Sequence, residues 1–433
     1  WLTLIIYYSA RACCDSVIPN FDAPVGIVHN FKSYGVHSRP CLNLKRFFQV
    51  AVFPDPGTLG KQLIVHIGTV TQWLTVYFGC DIAFYADKMC LHIVFSKIAA
   101  YKYLMLKLDQ IRQVHVELTT RCNARCPMCM RNYRGLDYNS GYPDVELNLA
   151  QFKHIVAHVI AQLTHVNFNG NLGDFASARD AVEIVEYIAS HNITINVNTN
   201  GSLRNQDWWR RLAIPGVTVG FALDGLADTH ALYRQDTDWN KIIANAQAFI
   251  SAGGRATWRF VPFDHNRHQE VECRRLAQDM GFVNFENIYD GRDSGPVFTR
   301  SGEYSHRIGA DISQHVPHIK DLLKSHVTWF DQRTVQSHKD TPELNLRCQH
   351  KINQEIYIAA DGSVYPCCYL GFYPDSMTHA GNSQTKELVQ ENNALKYDLA
   401  HCLSWFDRVE QTWAKDSIAD GRLYQCVNSC AIT

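Results

Sequence analysis

Between Val114 and Met280, strand-like and helix-like stretches take turns, and that alternation constrains the fold more than any other feature. Val114-His115-Val116-Glu117-Leu118 alternates apolar and polar residues with period two, as a half-buried strand does. Leu149, Phe152, Ile155, Val156, Val159, Ile160 and Leu163 fall on one helical face, which predicts a helix over 149–163 with Asn148 as its N-cap. The same reading predicts strands over 166–168, 193–197, 217–223 and 256–261, separated by helices over 178–190, 206–212, 240–252 and 269–280. Strands joined through helices run parallel and carry those helices outside the sheet. The expected class is therefore α/β, with chemistry at the carboxyl ends of the strands.

The motifs fall at those ends. The first strand runs into Thr120-Arg121-Cys122-Asn123-Ala124-Arg125-Cys126-Pro127-Met128-Cys129. This C-x3-C-x2-C spacing places three thiolates on one short loop, able to hold three corners of an iron–sulfur cube. A cube normally takes four thiolates, so three leave one iron open to a substrate or cofactor. Cys126 and Cys129 alone also fit half of a zinc site or a redox pair. Zinc knuckles usually add a second such pair or a nearby His, and no His follows closely here. Later strands exit through Asn169-Gly170-Asn171-Leu172-Gly173-Asp174, Asn198-Thr199-Asn200-Gly201 and Leu223-Asp224-Gly225, the last followed by His230, Tyr233 and Arg234. The fifth exits through Pro262-Phe263-Asp264-His265-Asn266. Taken in isolation, these are also good turns and helix caps.

The three-cysteine loop resembles the signature of the radical S-adenosylmethionine (SAM) superfamily, with Met128 where an aromatic residue is commoner. That resemblance implies a partial (β/α)6 TIM-like barrel and a catalytic [4Fe–4S] cluster on Cys122, Cys126 and Cys129. The open iron would chelate the amino and carboxylate groups of SAM. The turn with Gly170, Gly173 and Asp174 resembles the family's Gly-Gly-Glu-type contact to the SAM amino group, although Asn171 and Asp174 replace the usual residues. Asn198 and Asn200 resemble a polar cluster facing the ribose or methionine, and Asp224 lies in a stretch like the Ser-x-Asp-Gly…His…Arg element of peptide-modifying members. The implied activity is reductive cleavage of SAM to a 5′-deoxyadenosyl radical, which takes a hydrogen atom from a peptide or small molecule. A reduced flavodoxin or ferredoxin would donate the electron. The alternative is a non-catalytic iron–sulfur or zinc protein that keeps the fold.

A second cysteine set follows. Cys348, Gly362 and Cys367 stand in C-x13-G-x4-C spacing, and Asp361-Gly362 between 355–359 and 363–365 predicts a type I′ hairpin that draws the two cysteines together. The spacing resembles the opening of the SPASM and twitch extensions, and Cys426-x3-Cys430 resembles their closing element. The likeness implies one auxiliary iron–sulfur cluster on Cys348, Cys367, Cys426 and Cys430, with Cys368 and Cys402 competing for the fourth place. Cys273, in an amphipathic helix, reads as a core thiol.

The 433 residues have room for two or three domains. A net charge of −1 points to neither a nucleic-acid patch nor an anionic membrane surface as partner. Fifteen scattered cysteines, an odd count, argue against a secreted disulfide framework and for the cytoplasm. The chain opens on Trp1, and regular patterning starts near Met105. Residues 1–104 are therefore expected to be an unassigned segment, a reading-frame extension that need not fold on its own. A barrel over 105–290, a linker and partly helical connection over 291–345, and an auxiliary-cluster domain over 346–433 complete the expected organisation. Within the connection, 290–305 reads as a linker or covering loop and 308–330 as partly helical.

Overall fold

The computed structural model describes residues 47–53, 62–69, 72–78, 106–129, 131–137, 142–288, 295–309, 340–341, 344–371 and 382–432. The chain divides into two compact units, Trp1–Lys102 and Tyr103–Thr433. In the first, β1 (Phe47–Phe53), β2 (Gln62–Thr69) and β3 (Gln72–Phe78) form an antiparallel meander in which Val50 pairs with Val65 and Val65 with Val76. The sequence reading assigns no element there. Runs such as Leu63-Ile64-Val65 break the period-two signal, yet their β-branched content suits a strand.

In the second unit, β4 (Gln113–Val116) leads through the cysteine loop into a short hairpin, β5 (Asn132–Tyr133) and β6 (Leu136–Asp137). There follow α1 (Leu149–Val156), β7 (His165–Phe168), α2 (Ala181–Ala189), β8 (Thr194–Thr199) and α3 (Gln206–Arg211). Next come β9 (Val217–Ala222), α4 (His230–Tyr233), α5 (Trp239–Ser251), β10 (Arg255–Phe260), α6 (Glu270–Met280) and β11 (Asn284–Asn287). A hairpin of β12 (Gly295–Phe298) and β13 (Tyr304–Ile308) precedes β14 (Asn345–Leu346), β15 (Glu355–Ile358), β16 (Val364–Tyr365) and β17 (Ala431–Ile432).

The main sheet runs β11-β10-β9-β8-β7-β4-β15-β16, with every neighbour parallel except the final hairpin. This is the partial TIM-like barrel, extended at one edge. Side chains in register share a face, and the row Val116, Phe168, Val197, Val219, Ala256 is buried against the helices. Trp209, Trp258, Phe152 and Phe249 fill the layer between, each stabilising the fold by about 1.5–3 kcal/mol on burial. The opposite face carries Asn167, Asn196, Thr218 and Arg255 in one row, and Arg259 beside Glu286 in another. A closed barrel packs that interior with branched apolar residues; here the concave face stays polar.

Several expectations change. Asn148 caps α1 in a reciprocal box with Gln151, but the α-helix ends at Val156. Beyond it the chain tightens into a 3-10 turn over Ile160–Gln162. Paired β-branched residues, Ile155-Val156 and Val159-Ile160, hold α-helix poorly, yet Val159 and Leu163 stay buried. The barrel gains a sixth strand, β11, which has one apolar residue, Phe285, to advertise it. Described residues of the supposed linker 290–305 form the β12–β13 hairpin, and the helix expected over 308–330 lies, apart from Ile308 and Gly309, outside the described residues. The 361–362 turn is not type I′, which needs positive φ at both central residues: Gly362 has φ +85° while Asp361 does not, and the loop is longer. Among the described residues no helix is long and apolar enough to cross a membrane.

Candidate cluster and cofactor site

The cysteine loop begins where β4 ends. Thr120 Oγ1 donates to Pro143 O at 2.7 Å, and Thr119 bridges to Glu146, so the loop's entry is tied down. Cys129 N–H then donates to Cys126 O at 3.0 Å, and Asn132 N–H to Cys129 O at 2.9 Å, winding the three cysteines into successive turns. Cys122, Cys126, Met128 and Cys129 pack with Tyr233, Val261, Phe263, Val297 and Ile308 in an apolar cluster separate from the main core. Burial pushes the Cys122 thiol well up, and the negative charges of Asp174, Cys126 and Cys129 push the same way. Cys122, in the field of the two neighbouring thiols at a strand's carboxyl end, resists ionising until a cation is supplied. That is the chemistry of an iron–sulfur donor set.

Two buried aspartates organise the flanks. Asp174 accepts from Ala176 N–H at 2.9 Å, Thr199 Oγ1 at 2.8 Å and Asn200 N–H at 2.7 Å. Burial raises its pKa against those bonds. Asn200 Nδ2 in turn lies 3.6 Å from Cys122 Sγ and donates to Asn123 Oδ1 at 2.9 Å. On the other side, Asp224 accepts from Val261 N–H at 2.7 Å and from Arg234 Nε at 2.6 Å, while Arg234 Nη1 lies 3.8 Å from Cys126 Sγ. Burial works against the Arg234 charge, but Asp224 and Cys126 outweigh it and hold the guanidinium charged. Of the residues singled out from sequence, Asp174, Asn200 and Asp224 thus converge on the three-cysteine loop.

Asn198 does not. Its side-chain Oδ1 accepts from Arg259 Nη1 on the polar face of the sheet, and Arg259 also pairs with Glu286 at 3.4 Å. Gly170 and Gly173 serve close packing. A Cβ on Gly173 would fall on the backbone of Thr119, and one on Gly170 would lie 2.5 Å from Gly173 O. Sequence reasoning missed Glu117, whose buried carboxylate accepts from Leu172 N–H at 2.6 Å and Gly173 N–H at 3.1 Å. A glutamate at the end of an apolar strand was the available signal, because buried carboxylates need partners. Arg234 was noticed only as part of a motif. No local pattern ties it to Cys126, 108 residues earlier.

Within the second cysteine set, Cys348 and Cys430 are brought side by side. β14 pairs with β17, and Arg347 N–H donates to Cys430 O at 3.0 Å, which sets Cys430 beside Cys348. The helix Tyr424–Cys430 carries Cys426 one turn away on the same face. The hydrogen bond between Cys348 and Cys430 lowers the Cys348 thiol and raises that of Cys430. Cys367 and Cys426 lie within electrostatic reach of Cys348, and burial raises both thiols, Cys426 to about 12. Cys368 adjoins Cys367, and its carbonyl accepts from Asn171 Nδ2 at 2.9 Å, joining the extension to the glycine-rich turn. Cys402 and Cys273 lie apart, in the main core among Asp398 and among Glu272, Asp228 and Asp224 respectively. Among the described residues, no three or more His, Cys, Asp or Glu side chains close around a single metal ion.

Residues 116–272 match the family model of the Radical SAM superfamily. The chain is 23% identical over 301 residues to a cysteine-type anaerobic sulfatase-maturating enzyme of Clostridium perfringens, covering 63% of this chain and 78% of that one. With the Clostridium novyi counterpart it shares 25% over 206 residues, 44% of this chain and 54% of the relative, so it spans about half of that protein's length. Among solved structures, SuiB of Streptococcus suis bound to S-adenosylmethionine aligns at TM-score 0.44 and 15% identity, over 74% of this chain and 68% of SuiB. Native anSMEcpe with bound AdoMet and Cp18Cys peptide aligns at TM-score 0.37 and 17% identity, over 66% of this chain and 82% of that one. Residues 116–272, which hold the cysteine loop and most of the barrel strands, are thus similar to the radical SAM superfamily.

Proposed function

We propose that this protein is an enzyme that cleaves SAM reductively and acts on a peptide. The observation that carries the reading is the loop of three clustered thiols, Cys126 buried and Cys122 and Cys129 half-buried, with N–H donors beside two of them. Cys122, Cys126 and Cys129 would hold a [4Fe–4S] cluster and leave its fourth iron to SAM. The reduced cluster, once bound, would supply one electron to the sulfonium of SAM, and the chemistry made available would be carbon–sulfur cleavage to methionine and a radical able to take a hydrogen atom from the substrate.

The chain's own residues bind, orient and shield. Asp174 and Asn200 close one side of the loop and Asp224 with Arg234 the other, and the Gly170–Gly173 turn is pinned by Glu117. Val297 and Ile308 of the β12–β13 hairpin pack on the cysteine loop and exclude water there. The polar face with Asn167, Asn196 and Arg259 suits a peptide, because amide side chains both donate to and accept from a backbone. The sulfatase-maturating relatives favour the same substrate class. Cys348, Cys367, Cys426 and Cys430 would hold an auxiliary cluster able to take an electron from the oxidised substrate, and a reduced flavodoxin or ferredoxin would supply the first one.

Anaerobically reconstituted protein with SAM and dithionite is expected to release 5′-deoxyadenosine, read by mass spectrometry, and Cys126→Ala to release none. An intact cluster without 5′-deoxyadenosine refutes the catalytic reading and leaves a binding protein that keeps the fold. Iron and sulfide counts on the wild type and Cys348→Ala test the second cluster, with about four irons fewer expected in the variant.

A further inference from the structure

We propose that Asn200 and Arg234 set the reduction potential of the cluster on Cys122, Cys126 and Cys129, each by hydrogen bonding to one thiolate sulfur. This rests on the proposed cluster; the sequence reading turned Asn200 towards SAM and noted Arg234 only as part of a motif. Asn200 Nδ2 lies 3.6 Å from Cys122 Sγ and Arg234 Nη1 lies 3.8 Å from Cys126 Sγ. Neither donor is free to swing away. Asn200 is held from three sides, by Asp174 on its N–H, Asn123 on its Nδ2 and Ser202 N–H on its Oδ1. Arg234 is clamped at Nε by Asp224, itself fixed by Val261 N–H, and its guanidinium rests over the Tyr233 ring at 5.2 Å.

The same plan thus occurs twice, a fully buried aspartate holding an N–H donor against a cysteine sulfur. Adding an electron to a cluster makes its sulfurs more negative, so donors and cations beside them stabilise the reduced form more than the oxidised one and raise the potential. A guanidinium is always charged, and the Arg234 side chain is only 14% exposed, where a charge acts strongly. Asp224 offsets part of that charge, while neutral Asn200 contributes a dipole alone. Arg234 should dominate.

The test is an electron-paramagnetic-resonance redox titration of the full-length, reconstituted chain without SAM. At a fixed potential the cluster of Arg234→Gln should be reduced about tenfold less than wild type, a fall of about 59 mV for a one-electron couple. Arg234→Lys should retain more than half of the wild-type potential advantage, and Asn200→Leu should shift the same way by less. Midpoints equal to wild type in Arg234→Gln and Asn200→Leu, at full iron content, overturn the proposal. If they coincide while SAM binding by calorimetry weakens in Arg234→Gln, the residue serves the cosubstrate and the proposal is equally overturned. Should Arg234→Gln take up no iron because Asp224 is left unpaired, Asn200→Leu decides alone. A wild-type chain that assembles no cluster refutes the functional reading instead.

Discussion

Gly173→Ala tests how the glycine-rich turn is seated on the cysteine loop. A Cβ at Gly173 would lie 2.5 Å from the carbonyl carbon of Thr119 and closer still to its oxygen, whereas ordinary contact begins at 3.4 Å. The two backbones must therefore part by at least 0.9 Å, the difference between those distances. No side chain can rotate aside to absorb it. The same movement stretches the 3.1 Å bond from Gly173 N–H to Glu117 beyond hydrogen-bonding range. Overpacking of this kind costs about 1–3 kcal/mol, and a lost bond to a buried carboxylate about 1.5–3 kcal/mol. Together they predict a loss of about 2.5–6 kcal/mol and a Tm lowered by roughly 10 °C. Gly253→Ala is the control: its φ of +92° strains any side chain, but nothing lies within 4 Å, so it should cost only about 1–2 kcal/mol. Thermal unfolding by circular dichroism reads both. Equal melting temperatures for the two variants would show that the turn does not press on Thr119, and the packing argument would fail.

Buried His230 sits between Asp224 and Arg234, and burial lowers its pKa to about 4 from an unfolded value near 6.5. The folded state binds its proton less readily than the unfolded chain, so stability should be full above pH 6.5 and fall by about 3 kcal/mol on the way to pH 4. His230→Asn should flatten that slope in urea unfolding; an unchanged slope assigns the acid sensitivity elsewhere. Burial opposes the charge on Asp236, yet Arg300 at 2.5 Å and Arg125 at 3.2 Å hold its carboxyl below the usual range. This stabilisation is present above the unfolded pKa and lost as pH drops beneath it, so Asp236→Asn should speed amide exchange in the β12–β13 hairpin at pH 7. Protection equal to wild type would show that the hairpin is latched by other contacts.

Much of the barrel was legible because periodicity is local. The strand before Cys122, the capping box at Asn148 and Gln151, and helices α2, α3, α5 and α6 each carry their own signal within a dozen residues. The four later cysteines were singled out through their likeness to the SPASM and twitch extensions, with Cys368 and Cys402 as competitors. What local pattern missed was decided by partners far away. Short β11 is a strand because β10 presents an open edge, and β15 joins the sheet beside β4 across 242 residues of sequence.

The sequence by itself determined which elements form and which thiols stand ready, because alternation and spacing are properties of neighbouring residues. Only the tertiary structure decided which groups meet: Asp174 with Thr199 and Asn200, Arg234 with Cys126, Glu117 with the glycine-rich turn, Cys430 with Cys348. A buried polar group takes whichever complementary partner the packed fold brings within reach, and its position along the chain does not record that choice.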